Sequence, residues 1–199
     1  MAKGGNRHAM RREKSIERLM HVALDLLKEK SFNAVRVEDI TVRAGMAKGS
    51  LYMYFKGKEE LYIKAIRGIY LQPLAEQIDL ILGNSKPVEG LRGIVDYIFA
   101  DTMHGQASES MFRAIMDKSL MELIRKELCL FLEGYLGSVE KMFTELGHEN
   151  PKQKAYLYFV MLDGLYIYRI LSLVGMEHWQ SEKAADQLKK EILRIFQLK

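Results

Sequence analysis

A single cysteine, Cys129, in 199 residues excludes an internal disulfide and a cysteine-based zinc site. It falls in an apolar helical pattern, where a small core residue is expected. Only three prolines occur, and there is no run of alternating β-branched residues. Both absences point to a mostly helical chain. There is no glycine-rich phosphate loop and no nucleophile elbow. The five histidines, His8, His21, His104, His148 and His178, are scattered without metal-ligand spacing. A hydrolase, a transferase or a metal centre is therefore not expected, and nothing calls for a cofactor. The longest apolar run, residues 155–162, falls well short of the ~20 residues of a membrane span. The amino terminus lacks the apolar segment of a signal peptide. These absences lead to the expectation of a soluble, cytoplasmic protein.

What is present is an ordinary globular balance, 48% apolar and 28% charged, with an uneven charge. Residues 1–67 hold 15 Lys/Arg and 8 Asp/Glu, a net +7, and residues 68–199 hold 15 and 18, a net −3. A basic first third is the footprint of a polyanion-binding end. A merely solvated basic surface gives the same count.

Residues 1–10 are small, polar and glycine-containing, and read as disordered. Apolar side chains at helical spacing predict a first helix over residues 11–30, with Ile16, Leu19, Ala23 and Leu27 on one face. A second covers 37–44, with Glu38 and Asp39 in the first turn, where the helix dipole favours acids. Gly45 supplies the left-handed residue that ends it. A third covers 48–55, with Leu51 and Phe55 as inner anchors. A fourth begins near residue 58, and Pro73 predicts a kink or break in it. Five further helices are read over 88–103, around 111–116, and over 119–146, 151–174 and 181–198. The expected fold is all-α with about nine helices and no internal repeat.

Two short helices hinged at Gly45, the second basic and aromatic, form a helix-turn-helix, which places one helix in the DNA major groove. With Leu51 and Phe55 inward, Lys48, Ser50, Tyr52 and Tyr54 face out. Lysine and serine bond base edges, and lysine prefers guanine. Tyrosine hydroxyls contact phosphates. Gly49 permits close approach.

Residues 15–66 resemble the DNA-binding signature of TetR-type transcriptional repressors, and the remainder resembles that family in layout. The resemblance implies base or nearby backbone contacts from Lys48, Gly49, Ser50 and Tyr52, and phosphate contacts from Tyr54 and Lys58. Two positions depart from the pattern. Arg36 and Ala47 stand where the family has capping hydroxyls, a loss of about 1 kcal/mol each. Arg36 either replaces the hydroxyl with a charged phosphate bond or is a plain surface arginine. Arg7, Arg11 and Arg12 either form a basic arm or belong to a solvated tail.

The resemblance also implies residues 1–57 as the DNA-binding domain and residues 58–199 as a ligand-binding and dimerisation domain entered by a linker helix. One face of residues 151–174, Leu157, Val160, Met161, Gly164, Tyr168 and Leu171, is assigned to a homodimer interface. Leu188, Ile192 and Ile195 of the last helix join it. The opposite face carries Phe159, Leu162, Tyr166 and Arg169. It is grouped with Phe99, Met103, Met111, Phe112, Met116, Phe131 and Tyr135 as an apolar effector pocket. Periodicity alone reads these residues as core. Arg169 pairs either with a ligand acid or with a neighbouring carboxylate. The function implied is a ligand-responsive regulator, a repressor on a pseudo-palindromic operator, with an activator or a non-specific architectural protein as alternatives.

Overall fold

The computed structural model describes residues 3–83, 85–100, 106–172 and 182–198, with side chains from 7–83, 85–100, 110–165 and 186–198. Every regular element among the described residues is helical. In chain order they are α1 (Lys3–Leu26), a 3₁₀ turn (Phe32–Ala34), α2 (Val37–Arg43), a 3₁₀ segment (Lys48–Met53), α3 (Lys58–Ile66), a π turn (Arg67–Leu71), α4 (Gln72–Gly83), α5 (Pro87–Phe99), α6 (Gln106–Met116), α7 (Lys118–Glu145), α8 (Pro151–Ser172) and α9 (Glu182–Ile195). No helix among the described residues is long and apolar enough to cross a membrane.

The chain divides into two compact units, residues 1–72 with 109–127, and residues 73–108 with 128–199. The boundary expected after residue 57 therefore lies later. Leu61, Tyr62, Ala65 and Ile66 of α3 are fully buried, so this helix is part of the first unit. That unit closes over Leu19, Ala23 and Leu26 of α1, Ile40 of α2, and Leu120 and Ile124 of α7.

Four local expectations are corrected. The first helix begins at Lys3, not after a disordered decapeptide. Each further residue adds a hydrogen bond to a helix already nucleated by its buried face. Lys48–Met53 is a 3₁₀ segment, not an α-helix over 48–55. It is too short for α-propagation and is held by Leu51 and Phe55, both buried. Pro73 does not break the helical path. The preceding turn is π-wound, with the Gln72 N–H bonded to the Arg67 carbonyl, which accommodates a proline that lacks its own N–H. Cys129 is exposed, because it follows the buried Leu128 by about 100° on α7.

The second unit packs Leu91, Ile94 and Val95 of α5 with Val139 and Phe143 of α7 and Ala155, Tyr158 and Leu162 of α8. Phe143, Tyr158 and Phe196 form a mutually touching ring cluster with centroids 5.0–5.8 Å apart. The buried Tyr158 hydroxyl donates to the Leu91 carbonyl. Ile192 is 1% exposed inside this core, which removes it from the proposed dimer face. A helical wheel gives the apolar side of α9 but not whose core that side meets. Leu188 and Met161 also pack partly on it.

Candidate nucleic-acid interface

The helix-turn-helix hinge follows from local chemistry. Gly45 adopts φ +66°. The N–H of Met46 bonds the Thr41 carbonyl at 2.8 Å and that of Gly45 bonds Val42 at 3.0 Å. This is the paired-bond stop that a left-handed residue allows. The next segment is anchored by Leu51 (0% exposed) and Phe55 (3%). Lys48, Gly49 and Tyr52 are left exposed, and Ser50 and Tyr54 half-buried. Gly49 has nothing within 4 Å of a notional Cβ, so its surface is open to close approach. The Arg12 guanidinium lies 5.8 Å from the Tyr54 ring, which brings one member of the amino-terminal arginine group to this side of the unit.

Arg36 is exposed at the start of α2, and its backbone N–H donates to Asp39 Oδ2 at 2.9 Å. This is the carboxylate half of a capping box; the half in which an N-cap hydroxyl accepts a first-turn N–H is missing. The bond, together with Lys30 at 3.1 Å, holds the Asp39 carboxyl below the usual carboxylate range. Ala47 has no side-chain cap, and its carbonyl accepts the Ser50 N–H at 2.8 Å. Lys48 forms an ion pair with Glu38 of α2.

Lys58, from which a phosphate contact is expected, is held by the backbone of its own unit. Its Nζ donates to the carbonyls of Phe32 at 2.9 Å and Val35 at 2.8 Å, and lies 4.5 Å from the Phe32 ring centroid. Two of the three ammonium protons thus clamp the turn that leads into Arg36. From the other side, Asp117 Oδ2 accepts the Phe32 N–H at 2.8 Å, and Ser119 Oγ accepts a proton from Asn33 Nδ2 at 2.9 Å. Arg36, Tyr52, Lys56 and Lys58 line one open groove of about 430 Å³.

Lys56, Asp117 and Ser119 were not singled out in the sequence, and Glu38 was read only as a first-turn acid. Lys56 is two residues from Lys58 and was visible as a neighbouring cation. Asp117 is visible only as a cap before Lys118; nothing local announces its bond to Phe32.

The candidate pocket residues fall in two units. Met111 and Phe112 are half-buried in the first, and Met116, at 64% exposed, points outward. Met116 is therefore corrected to a surface residue, since it lies two positions, about 200°, around α6 from the buried Ala114. In the second unit Phe131 stacks on Tyr135 at 6.4 Å, and Tyr135 meets Phe159 edge-on at 5.8 Å. Tyr135 and Leu162 are buried core, and Phe99 packs against it. Half-buried Asp163 lies near Tyr135, and burial raises its carboxyl above the usual range. On α8, Leu157 and Val160 are 47% and 60% exposed, and a notional Cβ on Gly164 meets nothing within 4 Å beyond its own stretch of helix among the described residues. Met103 lies outside the described residues, as do the side chains of Tyr166, Tyr168, Arg169 and Leu171.

The pattern of the bacterial regulatory proteins, tetR family, matches residues 19–65. Over 95 residues the chain is 30% identical to an HTH-type transcriptional repressor, KstR2, of Mycobacterium tuberculosis, covering 48% of each chain. The match thus spans about half the length of that relative. Two solved structures share the fold. NalD, the secondary repressor of the MexAB-OprM multidrug efflux pump in Pseudomonas aeruginosa, superposes with a TM-score of 0.70 at 15% identity, over 93% of this chain and 96% of that one. FadR from Bacillus subtilis, solved in complex with stearoyl-CoA, gives 0.67 at 18% identity, over 90% and 96%. The amino-terminal helix-turn-helix thus carries the pattern of the tetR family of bacterial regulatory proteins, and the chain as a whole shares the fold of these solved structures.

Proposed function

We propose that this chain is a ligand-responsive transcriptional repressor that binds a pseudo-palindromic DNA operator as a homodimer in the cytoplasm. The observation that carries the reading is the single exposed face bearing Arg36, Lys48, Gly49, Tyr52 and the α3 amino terminus, each on an element whose own anchors are buried. A helix-turn-helix alone binds too little DNA for a useful specificity ratio, so two copies spaced by one helical turn, ~34 Å, are required. The uncovered apolar stripe Leu157, Val160 and Gly164 on α8, with Ile195 (41% exposed) on α9, supports a partner copy on that side.

The effector is a small, largely apolar molecule. Support comes from the aromatic series Phe131, Tyr135 and Phe159, and the FadR neighbour's stearoyl-CoA supplies an apolar acyl chain, though on a large charged carrier. Long-chain acyl-CoA thioesters are therefore the first class to assay. To act as an inducer, the effector must bind the released state better than the DNA-bound state.

The test is selection of bound genomic fragments by the purified chain, followed by footprinting. The expected result is a palindrome whose occupancy is lost in Lys48→Ala and Tyr52→Ala and lowered by the effector with the dimer intact. Binding that unrelated DNA competes away at equal concentration would identify an architectural protein instead.

A further inference from the structure

We propose that Glu38 is a specificity-determining residue, holding Lys48 in an ion pair that arbitrary DNA must break. The inference rests on the reading of residues 36–58 as a DNA-binding face. The Lys48 side chain is 64% exposed and that of Glu38 is 50% exposed, and the ammonium touches the carboxylate directly. Each group stabilises the charged form of the other, lowering the Glu38 carboxyl and raising the Lys48 ammonium. Arg36 also lies near Glu38, and Tyr52 near Lys48.

Packing does not explain Glu38. Ile40 and Ala44 bury α2, while Leu51 and Phe55 hold the segment that Lys48 opens. The helix dipole favours an acid in this first turn, and the Glu38 carboxylate also meets its own backbone N–H, but neither role calls for a partner on the segment that Lys48 opens. A carboxylate on a face that meets phosphates weakens their attraction, so its place needs another reason. The bond to Lys48 supplies one.

Binding to arbitrary DNA is driven by cations that displace counterions from phosphates. A lysine neutralised by an internal carboxylate adds little to that drive. Guanine O6 and N7 offer acceptors that replace the carboxylate and return what breaking the pair costs. Glu38 therefore lowers binding to arbitrary sequences more than binding to a site with guanine under Lys48.

The experiment uses the full chain and a random-sequence 30-base-pair duplex, titrated from about 50 to 200 mM salt. Wild type, Glu38→Gln, Lys48→Ala and the double variant are compared. Glu38→Gln is expected to tighten binding about three- to tenfold and to steepen the salt slope by up to about 0.9, one more neutralised phosphate. The same change in the Lys48→Ala background is expected to gain clearly less, because the two residues are coupled. Equal gains in both backgrounds, or none in either, overturn the proposal. Glu38→Ala, run in parallel, guards against a folding defect. Carbon NMR supplies a direct reading in the folded chain: the Glu38 carboxyl is expected to titrate lower in wild type than in Lys48→Ala, and identical titrations overturn the ion pair. A wild-type chain that binds no duplex at the lowest salt sinks the DNA-binding reading itself, a result distinct from equal gains.

Discussion

The carboxylate of Asp117 accepts the backbone N–H of Phe32 at 2.8 Å, although 85 positions separate them. Its other oxygen accepts the N–H of Leu120 at 3.1 Å, in the first turn of α7. One side chain thus caps a helix and fixes the turn that leads into Arg36. Asp117→Ala removes both bonds, and a charged hydrogen bond plus a cap are together worth about 2–4 kcal/mol. The expected result is that loss in denaturant unfolding, with faster hydrogen exchange at the Phe32 amide. Unchanged exchange at Phe32 would contradict the assignment.

Lys58 and Arg36 are expected to separate stability from affinity. Lys58→Met strips two bonds from the Phe32 and Val35 carbonyls. It should destabilise the first unit by about 2 kcal/mol as well as weakening DNA binding. Arg36→Ala leaves its backbone N–H bonded to Asp39. It should leave unfolding unchanged within about 0.5 kcal/mol and reduce the salt slope by about 0.9. The check is unfolding and salt titration of both variants side by side.

The two apolar sides of the carboxy-terminal helices should respond differently. Val160→Asp charges a surface position, so the chain should fold and sediment as a monomer. Ile192→Ala empties a core position and should cost about 2–4 kcal/mol with the dimer retained at native concentrations. Monomeric Ile192→Ala with wild-type unfolding would reverse the assignment.

Acid should loosen the first unit. Glu29, Glu38, Asp39 and Glu60 are all held below the usual carboxylate range, chiefly by bonds from Arg43, Lys48, the Arg36 N–H and Lys64 respectively. A depressed folded-state value means the unfolded chain takes up protons first. Their stabilisation is therefore complete above about pH 5 and is lost as pH falls through and below about 4. Unfolding midpoints from pH 7 to 3 should show the decline, and Asp39→Asn should flatten it.

Much of the first unit was legible because its signals are local. Gly45 announced the hinge, and the four-residue spacing of Leu51 and Phe55 fixed which side of the reading segment faces out. Legibility failed where distance in sequence exceeds a helix turn. The bond from Asp117 to Phe32 and the burial of Ile192 in its own unit both depend on partners that no periodicity names. The 3₁₀ winding of Lys48–Met53 was also hidden, since its residues suit either helix and only the anchoring decides.

Leu51 and Phe55 do the holding, while the exposed Lys48, Gly49 and Tyr52 carry the proposed meeting with DNA, and the two sets share no member. On the proposed function, mutation can therefore rewrite the recognised address without touching the frame that displays it. A lineage built on such a head can drift from one promoter to another through folded intermediates at every step.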